Sequence, residues 1–172
     1  MVGEKLTEGD VKKIRDEINE RKTVLRPKIL EEVKVARAQG DLSENFEYYA
    51  AKKRNRENNS RIDYLERVLK YAEIIDDSNT TGVSLNNIVK VKFIEEGVPE
   101  EEWEIDSYKI VTSIRADSIK NKISIESPLG KALLSKNVDE IVEVVLENGS
   151  SYKLKIIDIE ISADDDDELK AF

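Results

Sequence analysis

The sequence contains no cysteine and no histidine among its 172 residues. The absence of cysteine excludes disulfides, thiolate nucleophiles and cysteine-based zinc sites. The absence of histidine removes the commonest general base, together with the Ser-His and Cys-His nucleophile pairs. Any chemistry must therefore rest on carboxylates, lysine, arginine, tyrosine or hydroxyl groups.

Long apolar runs are also absent. No run approaches the roughly 18 residues needed to span a bilayer, and the opening MVGEKLTEGD lacks the apolar stretch of a signal peptide. We therefore expect a cytoplasmic protein with no membrane partner. With 38% charged residues, 7 Gly and 3 Pro, the composition is typical of a helix-rich globular chain with room for one ordinary domain or two small ones.

The negative charge is unevenly distributed. Residues 1–75 carry 17 Lys or Arg and 15 Asp or Glu, whereas residues 76–172 carry 11 and 22. The two halves are therefore expected to have different roles. The net charge of -9 argues against wrapping bare nucleic acid, because such binding depends on a basic face that displaces counterions. A partner protein that holds the nucleic acid fits this charge better.

From Thr7 to about Ala38, apolar residues recur at intervals of three and four, which predicts one long helix with a narrow apolar stripe. Thr7 is the expected N-cap, with Asp10 as a weaker capping-box partner. Pro27 lacks an amide and clashes with the preceding turn, so we expect a kink there. The stripe consists of Val11, Ile14, Ile18, Leu25, Ile29, Val33 and Ala36.

A second stripe at helical spacing follows Gly40 and lapses across residues 52–61. Two narrow stripes joined by the tight AQGDLS turn must bury against each other, which predicts an antiparallel coiled-coil hairpin. Arms of about 30 residues would be on the order of 45 Å long, so the hairpin offers reach rather than a pocket. The second stripe consists of Phe46, Tyr49, Ala50, Ile62, Leu65, Leu69, Ala72 and Ile75.

The second half of the chain has the two-residue period of β-strands. Ser127 and Pro128 predict the start of one short helix, and Asn148-Gly149 predicts a β-hairpin turn. The fold class is therefore α+β, with a small antiparallel β-sheet domain and one helix after the coiled coil. The expected divisions are a hairpin at 1–77, a linker at 78–87, the sheet domain at 88–162 and a disordered acidic tail at 163–172.

The motif Asp41-Leu42-Ser43-Glu44 lies at the turn of the predicted hairpin. In one interpretation Asp41 is the N-cap of the second helix and Glu44 closes a capping box. In the other, the hairpin tip projects both acids outward as hard oxygen ligands for Mg2+, which takes one or two carboxylates and completes its shell elsewhere. Capping explains most isolated D-x-x-E motifs, but it does not explain why this one lies at a tip.

Five basic residues occupy the polar gap in the second stripe. They either form a solvated helix face or make a basic patch, one to three turns from the acidic tip, that holds an RNA phosphate or base. The residues are Lys52, Lys53, Arg54, Arg56 and Arg61.

The hairpin stripes, the tip motif and the β-rich second half, in this order along the chain, resemble the bacterial GreA/GreB transcript-cleavage factors. The resemblance covers nearly the whole chain, and its most specific part is the tip G-D-L-x-E-N-x-E-Y. The chain departs from the family in its acidic tail and at Thr112-Ser113, where the family commonly has a glycine. The matching segments are LTEGDVKKI, RPKILEEVKVARAQGDLSENFEYYAAK, SRIDYLERVL, YAEIID, YKIVTSIRAD and ISIESPLGKALLSK.

The resemblance implies that the coiled coil enters the secondary channel of RNA polymerase. Asp41 and Glu44 would there help to hold a catalytic Mg2+ jointly with the polymerase and orient the water that attacks backtracked RNA near its 3′ end. The protein would stimulate the polymerase's own endonuclease activity rather than be an enzyme, bind no cofactor tightly when free, and act as a monomer. The residues expected to support the tip are Leu42, Ser43, Asn45, Phe46, Glu47 and Tyr48.

The resemblance further implies that the second domain has an FKBP-like fold and docks at the channel entrance. The docking surface would include Asp117, Ser127 and Pro128. Trp103 and Tyr108 are expected in the core rather than in a prolyl-isomerase pocket, because fold likeness alone does not imply that activity. Two alternatives stay open: a channel-binding regulator that does not cleave RNA, and a free-standing chaperone or isomerase.

Overall fold

The computed structural model describes residues 3–38, 45–76, 81–162 and 168–170. The chain divides into two compact units. One contains Glu8–Glu73, and the other contains Lys5–Thr7 and Ile74–Ala171. No helix among the described residues is long and apolar enough to cross a membrane.

The first arm of the helical unit contains helix α1 (Glu8–Glu20), a π-helical turn (Arg21–Leu25) and helix α2 (Arg26–Ala38). In the π-helical turn, the Arg26 amide donates to the Arg21 carbonyl. Pro27 follows at once and has no amide to donate, so the wider turn lies where the α-helical ladder loses a donor. The predicted continuous arm is confirmed, and the irregularity lies just before Pro27.

The second arm is helix α3, Phe46–Tyr71, whose 26 residues span about 39 Å at 1.5 Å per residue. Glu17 contacts Arg61 in the middle of the arms, and Ala36 contacts Asn45 near the end where the first arm leads into the second. Residue numbers rise along the first arm as they fall along the second. The predicted antiparallel hairpin is therefore confirmed.

The buried face of α3 differs from the predicted stripe. Phe46 and Tyr49, both assigned to the stripe, are 88% and 54% exposed. At 100° per residue they lie about 120° and 180° around the helix from Asn58, which is buried. Polar residues therefore continue the seam, and the prediction is wrong for the first turns of α3. The buried residues of α3 are Ala51, Asn58, Arg61, Ile62, Leu65 and Val68.

The second unit contains a five-stranded sheet in the order β5-β4-β3-β7-β6, and strands β1 (Lys5–Leu6) and β2 (Glu73–Ile74) form a separate pair. In the larger sheet β4 and β5 are parallel and the other pairs are antiparallel, so the prediction of an antiparallel sheet is wrong at β5. Two 3-10 turns after β4 return the chain so that β5 runs alongside it. The strands are β3 (Asn87–Phe93), β4 (Ile105–Val111), β5 (Lys122–Ser124), β6 (Ile141–Val145) and β7 (Ser151–Ile161), and the 3-10 turns are Ser113–Arg115 and Ser118–Lys120.

Local sequence signals account for two features of the second unit. Ser127 caps helix α4 (Pro128–Leu133) by accepting a hydrogen bond from the Gly130 amide at 3.0 Å, and Pro128 occupies the first turn, as predicted. The β6–β7 connection contains Asn148-Gly149, with φ of 83° at Gly149, which confirms the predicted hairpin turn. The buried core of this unit is Val83, Leu85, Val89, Val91, Ile110, Ile125, Leu133, Val142, Val144, Leu154 and Ile156.

The second unit also contains Tyr108, Trp103 and the C-terminal residues 168–170. Tyr108 packs partly buried against the core, whereas the half-buried Trp103 donates its indole N–H to the Val98 carbonyl at 3.0 Å. Residues 168–170, which belong to the tail predicted to be disordered, lie against this unit. The Lys170 amide there donates to the Ile114 carbonyl at 2.7 Å.

Candidate functional site at the hairpin end

Asn45 closes the free end of the hairpin. Its side-chain oxygen accepts from the Tyr48 amide at 3.0 Å, which makes Asn45 the N-cap of α3. Its side-chain amide donates to the Ala36 carbonyl on α2 at 2.7 Å. Asn45 therefore joins the start of α3 to the last turns of α2.

Asp41, Leu42, Ser43 and Glu44 lie outside the described residues. The described residues bear only on the capping interpretation of the D-x-x-E motif. The cap of α3 is Asn45, so the proposed capping role of Asp41 at this helix is wrong. The cap of α3 therefore does not depend on Asp41.

Exposed aromatic and basic side chains follow the cap. The ring centroids of Tyr48 and Tyr49 lie 5.6 Å apart in an edge-on contact, and the Lys52 ammonium lies 5.7 Å from the centre of the Tyr48 ring. Lys52, Lys53, Arg54 and Arg56 are all exposed, and so is Glu47. Glu57 contacts Lys53 at 3.7 Å and Glu32 contacts Arg54 at 2.9 Å, so two of the four cations have an acidic neighbour.

Two exposed aromatic rings and two cations share one face of α3. At 100° per residue, Phe46, Tyr49, Lys53 and Arg56 fall within about 80° of arc. Sequence reasoning missed this stripe because Phe46 and Tyr49 also fitted an apolar seam. The three- and four-residue spacing that continues from the aromatics into the cations is the signal that could have found it.

Arg61 does not belong to the exposed patch. It is 5% exposed, and its guanidinium donates to both carboxylate oxygens of Glu17, at 2.8 and 2.9 Å. The prediction that Arg61 faces RNA is therefore wrong, because its charge is already paired inside the seam. Burial raises the pKa of Glu17, but hydrogen bonds from Arg61 and Arg21 outweigh burial and bring that pKa below its ordinary value of 4.5.

Comparison with known proteins identifies the family. The family profile described as "Transcription elongation factor, N-terminal" matches residues 4–74, and the one described as "Transcription elongation factor, GreA/GreB, C-term" matches residues 78–161. The chain belongs to the GreA/GreB family of transcription elongation factors.

Two GreA/GreB relatives illustrate the similarity. The chain is 42% identical over 159 residues to "Transcription elongation factor GreA" of Staphylococcus carnosus (strain TM300), covering 90% of this chain and 94% of the relative. The same protein of Staphylococcus aureus (strain Newman) gives 42% identity over 159 residues, with 90% and 95% covered.

Solved structures with some similarity include the GreA factor homolog 1 (Gfh1) protein of Thermus thermophilus. It has 21% identity and a TM-score of 0.42, with 92% of this chain and 99% of that chain covered. The GreA/GreB factor of Nitrosomonas europaea has 27% identity and a TM-score of 0.38, with 58% and 78% covered.

In this GreA/GreB family member, the predicted docking residues lie at the two ends of β5. The Asp117 amide donates to the Lys122 carbonyl at 3.0 Å at one end. Ser127, which precedes Pro128, donates its hydroxyl to the Ser124 carbonyl at 2.7 Å at the other. The Asp117 carboxylate also accepts from the amide of Ile119, whose side chain is 94% exposed. Ile119 is a surface residue that sequence reasoning missed, although an apolar residue within a polar turn is a recognisable signal.

Proposed function

We propose that this elongation factor inserts its hairpin into the secondary channel of bacterial RNA polymerase and stimulates Mg2+-dependent cleavage of backtracked nascent RNA near its 3′ end. The observation that carries the proposal is the position of Asn45. Asn45 caps α3 and bonds to Ala36, so the described contacts at the hairpin end come from an amide side chain and not from an acid. In this proposal Asp41 and Glu44 bind the metal instead.

The donor set fits Mg2+ but is incomplete. Carboxylate oxygens are hard ligands that suit this ion, and two of them leave most of its six positions open. The described residues contain no group of three or more acids that could hold a metal. Asp41 and Glu44 would therefore hold the ion jointly with groups of the polymerase. When bound, Mg2+ supplies stabilisation of the negative charge that develops on phosphate oxygens during hydrolysis.

The length of the hairpin fits delivery into a deep site. Helix α3, about 39 Å long, runs from Phe46, which lies close in the sequence to the acids, to Tyr71. Because the hairpin consists of two paired helical arms, it has this length with a small cross-section. The chain would thus act as a cofactor protein for the polymerase rather than as an enzyme, and we propose that it acts as a monomer.

The exposed stripe on α3 fits single-stranded RNA. Bases of any sequence stack on aromatic rings, and phosphates pair with lysine and arginine. Phe46 and Tyr49 lie nearest the acidic segment, and Lys53 and Arg56 lie one to three turns further along the same face. Extruded RNA passing the tip would therefore meet rings first and cations next. Lys52 and Arg54 would add to the positive potential.

The second unit would dock at the channel entrance. Asp117, Ser127 and Pro128 flank the short strand β5, and the exposed side chain of Ile119 adds an apolar group to that surface. An apolar group surrounded by polar ones is typical of the centre of a protein–protein contact. Docking there would hold the factor while the hairpin end acts inside the channel.

The proposal is tested with purified bacterial RNA polymerase stalled on a template with backtracked, 3′-labelled RNA. Adding the protein is expected to release short labelled 3′ fragments, and Asp41→Asn or Glu44→Gln is expected to abolish this release. Glu31→Gln, which removes an exposed acid from α2, is the matched control and should behave as wild type. Release that survives both tip changes would contradict the metal role. Polymerase binding without any release by the wild type would instead favour a channel-binding regulator.

A further inference from the structure

The middle of the hairpin has a polar seam. In the first arm, no residue between Ile14 and Ile29 is buried, a stretch that the structure describes throughout. Two buried residues of α3, Asn58 and Arg61, contact this stretch and are 3% and 5% exposed, and the buried Ile62 follows Arg61. Polar side-chain contacts thus join the arms at this level, next to the apolar Ile62.

Four side chains make up this seam. Arg61 binds both carboxylate oxygens of Glu17, at 2.8 and 2.9 Å, and Arg21 donates to the same carboxylate at 2.7 Å. Arg21 also donates to the Asn58 side-chain oxygen at 3.2 Å, and the Asn58 amide returns a bond to the Arg21 carbonyl at 3.4 Å. One acid, two arginines and one amide therefore bridge the arms at a single level.

A partly buried ion pair of this kind often adds little net stability, and in some proteins such pairs add specificity instead. Replacing such a pair with apolar residues is often neutral or stabilising, because desolvation offsets the attraction between the charges. A buried polar residue in a coiled coil, however, can fix the register, since other registers leave it without a partner.

The sequence around Glu17 penalises a shifted register. Sliding α3 by four residues, about 6 Å, would place Arg61 opposite Arg21 in one direction and opposite Lys13 in the other. Either shift brings two like charges together in a seam whose central pair, Arg61 and Glu17, has side chains only 6% and 21% exposed. The apolar contacts at the two ends are less selective, because small and aliphatic side chains pack in several ways.

We propose that Glu17 and Arg61 form a positioning pair that fixes the register of the two arms, and thereby the place at which the hairpin end presents Asp41 and Glu44. This inference rests on the proposed function for its consequence in cleavage. Its structural part, the fixed register, does not depend on the polymerase. An experiment can therefore contradict the fixed register without contradicting the proposed function, or the reverse.

The main test replaces both charges at once, with Glu17→Leu and Arg61→Met. The thermal midpoint is expected to stay the same or rise. The chain has no cysteine, so spin labels can be placed through new cysteines at Lys34 and Glu57, whose side chains are 77% and 61% exposed. Pulsed electron resonance should give one narrow distance in the otherwise unchanged chain. The double variant should give a second distance, displaced by about one helical turn of 5.4 Å.

The functional readout separates positioning from binding. In the stalled-complex assay, without labels, the double variant should lower the maximal cleavage rate at saturating factor at least about tenfold, because small misplacements of catalytic groups have large effects on rate. The concentration for half-maximal effect should change less than about twofold. Arg61→Lys, which retains the charge but not the forked geometry, should give an intermediate rate and a broadened distance distribution.

Three results are decisive. The proposal is overturned if the double variant gives a single narrow distance and a wild-type maximal rate. If the double variant does not fold, the same two results in Arg61→Lys overturn it. An unchanged distance with a lowered rate would overturn it as well, because the register would not be the cause. A displaced distance in a protein whose wild type fails to stimulate cleavage would support the fixed register and contradict the proposed function alone.

Discussion

The side-chain amide of Asn45 donates to the main-chain carbonyl of Ala36 at 2.7 Å, which joins the last turns of α2 to the residue that caps α3. Asn45→Ala removes this bond and the cap together and is expected to destabilise the hairpin end by about 1–2 kcal/mol. Asn45→Asp keeps an acceptor for the Tyr48 amide but loses the donor to Ala36, so its effect should be smaller. Hydrogen exchange at the Tyr48 amide measures both changes. Equal protection in all three proteins would contradict the assignment of the cap.

The pKa of Glu17 predicts the acid stability of the hairpin. A carboxylate with a lowered folded-state pKa is stabilising above its unfolded-state pKa, and that stability is lost as the pH falls through the folded-state value. The helical unit should therefore begin to lose stability below about pH 4.5, the ordinary value, with Glu17 contributing to the loss. Urea unfolding, followed by the circular dichroism signal of the helices between pH 3 and 6, measures this loss of stability. Glu17→Gln should flatten the dependence, and an equal slope in both proteins would remove Glu17 as a cause.

Gly130 predicts a packing requirement in the second unit. A Cβ at this position would lie 2.0 Å from the Ser124 carbonyl oxygen, so the backbone of α4 or β5 must shift. Gly130→Ala is expected to destabilise this unit by more than about 1 kcal/mol. Gly97→Ala is the matched control, because a Cβ there meets nothing within 4 Å and only the strain of φ at 84° remains. If thermal unfolding shows Gly97→Ala to be the more damaging change, the close approach is not the controlling factor.

The exposed rings of Phe46 and Tyr49 predict a role in RNA contact. A base stacked on an aromatic ring is worth about 1–3 kcal/mol, so Tyr49→Ala should raise the factor concentration for half-maximal cleavage at least about fivefold. Tyr49→Phe retains the ring and should resemble wild type. Tyr49 is 54% exposed, so the thermal midpoint should change little with either substitution. Equal cleavage by the alanine and phenylalanine variants would show that the ring does not stack on RNA.

Local chemistry made several features predictable from the sequence. Ser127 and Pro128 define the start of α4 through one hydroxyl and one fixed φ, and Gly149 supplies the positive φ of a hairpin turn. The two stripes predicted the hairpin because narrow apolar faces must be covered. Each of these inferences depended on residues close together in the chain.

Features set by distant residues could not be predicted in the same way. Arg61 lies in a run that is typical of a solvated face, and its buried partner contact is with Glu17, 44 positions away in the sequence. Phe46 is as apolar as a core residue, but its side of α3 faces away from the seam. The parallel pairing of β5 with β4 depends on the geometry of the two 3-10 turns between them. That geometry produces no periodic pattern of apolar residues in the sequence. The sequence pattern predicts the tip acids, and Asp41 and Glu44 lie outside the described residues.

The central claim is that Asp41 and Glu44 lend their carboxylates to a Mg2+ held jointly with the polymerase. The most direct measurement is the Mg2+ dependence of the cleavage rate at saturating factor, for wild type, Asp41→Asn and Glu44→Gln, with competition against wild type to establish equal binding. We predict that the variants bind as well as wild type but show a strongly lowered rate, part of which returns as Mg2+ is raised. Variants that bind equally and follow the wild-type Mg2+ curve would contradict the account.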